Sequence, residues 1–201
     1  MGNFGIMFML IYSMIITIAG VYANDNAILM PSSYEKPELT VEEWFQRLDQ
    51  AKETKTKLHF YLQDALRGDN PTVWEVAESK ITSTSPTSFG QVLVIDDLLI
   101  SGPEADSEIV GRAQGIVGLA DLHNVALHES VNIVFTEGKY KGSAITILGR
   151  NPLFDKVREL PIIGGTGAFR MARGIVVTNT HTEDPVVSVY EYTLYVYHYS
   201  S

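Results

Sequence analysis

The chain has 201 residues, a formal net charge of −9 and no cysteine. That length supports one domain with a single well-filled core. The acidic balance excludes a nucleic-acid partner, which needs a basic stripe. The missing cysteines exclude a disulfide framework, so a secreted form must be held by its core or by assembly.

Residues 1–23 read as a signal peptide. Gly5 to Gly20 is uncharged and mostly apolar, and Val21-Tyr22-Ala23 places small residues where a signal peptidase reads, so cleavage is expected after Ala23. The n-region has no Lys or Arg, and an uncleaved anchor is the alternative, because the run approaches the spanning length of ~17–25 residues. The expected location is extracellular, with no membrane attachment once the signal is removed. The Asn70-Pro71-Thr72 sequon is disqualified by its proline, so N-glycosylation is not expected.

Residues 24–55 form a leader with a short amphipathic helix. Thr40-Val41-Glu42-Glu43 has the pattern of a capping box, and the helix over Thr40–Lys52 would put Val41, Trp44, Phe45 and Leu48 on one docking face.

From Thr56 the pattern changes to short β-type runs at roughly ten-residue spacing, so residues 56–201 read as an antiparallel all-β sandwich or barrel. Strands are expected near Lys57–Asp64, Val73–Ser79, Gly90–Asp96, Glu108–Leu119, Ser130–Thr136, Ser143–Leu148, Val157–Ile163, Phe169–Thr178 and Val186–Tyr199. Turns are expected at Gly68–Pro71, Gly138–Gly142, Gly149–Pro152 and Gly164–Gly167. The last of these looks like a phosphate-binding loop. That reading needs a helix after the glycines, whereas Ala168–Thr180 carries Gly174 and a β-branched run, so a hairpin turn is the better assignment. The final run is apolar or aromatic on both faces, with Tyr195, Tyr197 and Tyr199 on one side and Tyr190, Tyr192, Leu194 and Val196 on the other. A second covering surface is expected there, most simply another subunit; tyrosines wetting their hydroxyls at the surface are the alternative.

The five histidines show no metal-ligand spacing, and no G-x-S-x-G elbow occurs, so neither a metal nor a serine triad is expected. Asp96 and Asp97 are adjacent in a strand and point to opposite faces, so they cannot act together. Asp64 shares a face with Leu58, Phe60 and Leu62. A carboxyl there either extends an apolar face into a barrel mouth, as a proton donor with a raised pKa, or merely ends a strand. Arg158 and Arg112 lie in largely apolar strands and could orient an anionic or phenolic ligand or pair with a carboxylate.

Several segments resemble the plant dirigent family: Glu137–Ser143 (EGKYKGS), Leu148–Pro152 (LGRNP), Gly164–Gly174 (GGTGAFRMARG), Leu58–Asp64, Phe89–Asp97 (FGQVLVIDD) and Val110–Gly115 (VGRAQG). The resemblance covers Thr56 to the C-terminus. It implies an eight-stranded antiparallel β-barrel of the calycin-like, allene oxide cyclase-like kind, usually a trimer, secreted to the plant cell-wall space. Nine runs leave one surplus, and Val157–Ile163 is the run expected to drop out. Some family members orient phenoxy radicals, made by a separate laccase or peroxidase, for stereoselective coupling into lignans. Others act on quinone methides, for instance in closing an isoflavanol to a pterocarpan. The resemblance implies no cofactor. It places Asp64 as the acid and Arg158 as its partner. Asn151, Phe60, Ile116 and Arg112 are expected to contact substrate. Two departures weaken coniferyl alcohol as substrate: Asn151 stands where lignan-forming members carry an aspartate, and Ile116 and Val117 stand where they carry tyrosines.

Overall fold

A computed structural model describes residues 39–200; the signal-peptide assignment and residues 24–38 of the leader lie outside them. The capping box is formed as expected. The Thr40 hydroxyl accepts from Glu43 N–H, and Glu43 reaches back to the Thr40 amide. The helix it opens is shorter than the pattern implied. Helix α1 covers Val41–Gln46, a 3-10 turn follows over Leu48–Gln50, and the first strand begins at Lys52. Only Trp44 of the expected docking face is buried, under the Arg170 guanidinium at 5.5 Å, while Val41 and Phe45 are exposed.

Nine strands follow among the described residues: β1 (Lys52–Ala65), β2 (Val73–Ala77), β3 (Val92–Ile100), β4 (Ile109–Leu119), β5 (Ala126–Phe135), β6 (Ala144–Pro152), β7 (Arg158–Thr166), β8 (Arg173–Thr182) and β9 (Val187–Ser200). All pairings are antiparallel, in the order β1-β9-β8-β7-β6-β5-β4-β3, and β1 pairs with β3 to close an eight-stranded barrel. The surplus strand is β2, which pairs with the first half of β3 on the edge that β1 leaves free. The run expected to drop out is instead β7, bonded to β6 and β8.

Two expected turns are strand. Gly149–Pro152 lies within β6, so the turn moves on to the residues before Arg158. Gly164, Gly165 and Thr166 end β7, and the chain reverses through a 3-10 turn at Gly167–Phe169. Gly167 has φ +60. A Cβ on Gly165 would sit 2.6 Å from the carbonyl oxygens of both Ala144 and Phe169, so this glycine lets two backbones approach.

Alternation sends Phe60, Leu62, Leu99, Ile133, Ile145, Leu160, Val176 and Leu194 into the barrel. One end is plugged by aromatic rings: Phe169 lies 4.8 Å from Tyr140, 5.4 Å from Phe135 and 5.2 Å from His198. The other end stays hollow. Outside, the tyrosines of β9 are covered by cations of neighbouring strands. Lys57 lies 5.5 Å over Tyr195, and Lys55 and Arg173 lie 5.5 and 5.4 Å from Tyr197. Charged side chains laid along the rings give that face a wet, polar cover.

The close approach at Gly165 makes a test. Gly165→Ala must push two backbone carbonyls apart and should lower stability by about 1–3 kcal/mol, read as a lower urea midpoint. An unchanged midpoint would show that the turn has slack.

Candidate functional site

The hollow end of the barrel holds a cavity of about 240 Å³. Its walls are mainly Leu62, Leu93, Ile95, Val117, Leu119, Val131, Ile133 and Ile147, with Leu66, Val73 and Leu153 at the lip. Into this apolar space project Asp64, Asp97, Glu129, Asn151, Arg158, Tyr190 and Tyr192.

Asp64 arrives as the sequence predicts, on the β1 face that carries Phe60 and Leu62. Its partner was not foreseen. The β1–β3 pairing runs Tyr61↔Ile100, Leu62↔Leu99, Gln63↔Leu98, and one step further along the two strands come Asp64 and Asp97. Asp97 is 1% exposed and faces inward with Leu93, Ile95 and Leu99, while Asp96 points out. Like-charged side chains placed this way oppose ionisation. Burial pushes Asp64 up to about 6. Burial, then repulsion from Asp64, pushes Asp97 up to about 8, against the hydrogen bond from Thr72.

Thr72 fixes where the Asp97 proton sits. Its hydroxyl oxygen accepts from Ala65 N–H at 3.1 Å and its O–H donates to Asp97 Oδ1 at 2.5 Å. With Oδ1 accepting, the proton of neutral Asp97 belongs on Oδ2. Asp64 Oδ1 is buried without a partner. The pair is therefore one proton reservoir made of two carboxyls.

Arg158 enters from the first residue of β7 and is 2% exposed. Nη1 donates to the Leu153 carbonyl at 3.2 Å, the guanidinium lies 5.6 Å over the Tyr190 ring, and Nε and Nη2 have no partner. Asn151 enters from β6 and donates through Nδ2 to Glu129 of β5. Burial raises the Glu129 pKa, opposed by that hydrogen bond and by Arg158. Burial also raises the phenols of Tyr190 and Tyr192, so both rings present neutral hydroxyls.

Three of the six expected site residues thus meet in the cavity: Asp64, Asn151 and Arg158. The other three lie elsewhere. Phe60 is deeper in the core, stacked on Tyr192 at 6.2 Å. Arg112 points outward and donates through Nε to Asp96. Ile116 is 55% exposed on the outer face, and of the Ile116-Val117 pair only Val117 reaches the cavity. Sequence reading missed Asp97 and Glu129. For Asp97 the signal was the alternation Leu93, Ile95, Asp97, Leu99. For Glu129 it was Leu127, Glu129, Val131, Ile133, hidden by starting that strand at Ser130. Among the described residues no group of three or more His, Cys, Asp or Glu side chains is arranged to hold a metal ion.

Comparison with known proteins agrees with this architecture. The family model described as "Dirigent-like protein" matches residues 55–197. Dirigent protein 21 of Arabidopsis thaliana is 49% identical over 148 residues, covering 71% of this chain and 77% of its own. Pterocarpan synthase 1 of Glycyrrhiza echinata is 39% identical over 147 residues, covering 72% of this chain and 78% of its own. The solved structure of the pterocarpan synthase dirigent protein GePTS1 superimposes with a TM-score of 0.70 at 38% identity, over 75% of this chain and 93% of that one. The eight-stranded barrel, its sequence motifs and these relatives agree: the chain belongs to the dirigent family.

Proposed function

We propose that this protein takes planar phenolic molecules into the barrel cavity and directs the stereochemistry of bond formation on a quinone methide by moving one proton. The observation that carries the reading is the Asp64–Asp97 pair, a half-buried and a buried carboxyl lining one apolar cavity together with an arginine with unused donors. The similarity to pterocarpan synthases supports it.

The chemistry runs as an acid–base cycle. Neutral Asp97, or Asp64 sharing its proton, protonates a benzylic hydroxyl, water leaves, and the carboxylate so formed takes the proton of the ring phenol, which gives the quinone methide. A second phenolic hydroxyl of the substrate adds to the exocyclic carbon, the carboxyl pair takes its proton and gives one to the quinone-methide oxygen, which becomes a phenol again, and the pair ends in its starting state. Arg158 holds the oxygen that gains negative charge. The apolar walls keep the ring in one orientation, which fixes the face of attack.

A second reading is orientation of phenoxy radicals made by a separate laccase or peroxidase. Membership of the dirigent family is compatible with it, and it asks only for positioning. A non-catalytic phenol-binding protein of the cell wall is the third. Secretion after cleavage behind Ala23 belongs to all three. Assembly into a homotrimer or homodimer does too, and the pairings that align Trp74, Val94, Ile116, Ser130 and Leu148 across the outer face support it, since the four apolar members of that row are exposed.

Three outcomes follow. Purified protein given an isoflavanol with no oxidase should form one enantiomer of the cyclised product by chiral chromatography, and Asp64→Asn should slow this by about 10²-fold or more. Undiminished rate and enantiomeric excess in that variant would remove Asp64 from the mechanism. Light scattering should report an oligomer that Ile116→Glu dissociates; an unchanged mass would move the contact off this row.

The third concerns pH. A buried acid whose folded pKa is raised costs nothing below its unfolded pKa and destabilises progressively up to its folded one. Asp97 should therefore make the protein lose stability between about pH 4 and about pH 8. Asp97→Asn should flatten that slope in a melting-temperature series. Asp121, which Arg150 and two backbone N–H groups hold well below the usual carboxylate range, acts in the opposite sense only at lower pH.

A further inference from the structure

Glu129 and Asn151 are cavity groups that the acid chemistry leaves unused. They are 6% and 4% exposed. The β5–β6 register sets Glu129 opposite Gly149, so Asn151, two residues along, is its diagonal neighbour on the inner face. Asn151 Nδ2 donates to Glu129 Oε1 at 2.5 Å. Glu129 keeps an accepting oxygen for that N–H whether or not its other oxygen carries a proton. The amide is planar, so committing Nδ2 to Glu129 turns Oδ1 away from it, and Oδ1 is buried with no donor. In the same cavity Nε and Nη2 of Arg158 are buried with no acceptor. The wall therefore presents open donors on Arg158 and an open acceptor on Asn151. Unmet polar groups this deeply buried are costly unless a ligand meets them.

We propose that Glu129 is a positioning residue that sets the polarity of Asn151, holding its carbonyl oxygen toward the cavity so that the site takes a ligand hydroxyl there, alongside a ligand oxygen bound by Arg158. The inference rests on the phenol reading above and narrows it. A ring that carries an O–H beside a second oxygen satisfies both groups. Methylating that O–H leaves Asn151 Oδ1 unpaired in a dry cavity, a loss that buried polar sites turn into strong discrimination. Without Glu129 the amide is free to rotate and present either end, and the discrimination goes.

The test compares 2-methoxyphenol with 1,2-dimethoxybenzene, titrated into the purified protein and followed by NMR of cavity methyl groups. Wild type should bind the phenol about tenfold or more tightly than its methyl ether. Glu129→Leu and Asn151→Leu should each bring the two probes within about twofold, and the double variant should lose nothing further, as expected for two residues acting through one contact. If Glu129→Leu keeps the wild-type ratio while Asn151→Leu loses it, the positioning role is overturned. Equal binding of both probes by wild type also overturns it and leaves the phenol reading standing. Binding of neither overturns the phenol reading and this inference together. Should Glu129→Leu fail to fold, the side-chain amide of Asn151 in 15N-labelled wild type gives the same answer. Its Nδ2 proton should lie downfield of a free amide and move as the carboxyl titrates. A free-amide position with no pH response overturns the proposal.

Discussion

The hydrogen-bonded seam between β1 and β3 is the contact on which the rest depends. It closes the barrel, and because its register runs Gln63↔Leu98, it brings Asp64 and Asp97 toward each other just where the paired stretch ends. A shift of one residue would turn one of the two carboxyls outward, because side chains alternate along a strand. The same seam leaves the first half of β3 unpaired by β1, and β2 fills that edge. The Thr72 hydroxyl, from the segment just before β2, then reaches Asp97. One pairing thus closes the fold, forms the acid pair and positions its proton.

The barrel is asymmetric along its axis, and the asymmetry is what makes a site. At one end Phe135, Tyr140, Phe169 and His198 fill the bore with rings. At the other, aliphatic walls stop short of meeting, and the space is bordered by three carboxyls and one guanidinium. Such a set cannot be fully ionised in an apolar space, since each carboxylate raises the cost of the next. Burial therefore raises the pKa of all three carboxyls and favours their protonated forms.

Strand periodicity and turn residues made most of the fold legible. Alternation located eight of the strands to within a few residues and put Asp64 on the inner face. Errors fell where a local signal was overridden by pairing. Gly149 and Pro152 suggest a turn, yet both lie in β6, because β5 runs on to Ala126 and pairs with it along that length. That correction is what brings Asn151 into the cavity. The expected substrate contacts Arg112 and Ile116 failed for a related reason: they are the even-numbered residues of β4, and its odd-numbered ones, Ala113, Val117 and Leu119, face in.

By itself the sequence determined the all-β class, the motifs that place the chain in its family, and the inward direction of Asp64, because each depends on neighbours within a few positions along the chain. The tertiary structure alone decided that Asp97 meets Asp64, that Glu129 grips Asn151, and that Arg158 keeps two donors without partners. The two carboxyls stand 33 positions apart along the chain and the Glu129–Asn151 pair 22, and both meetings are set by register and barrel closure. A local pattern states which face a residue occupies, but only the closed sheet states what stands across from it.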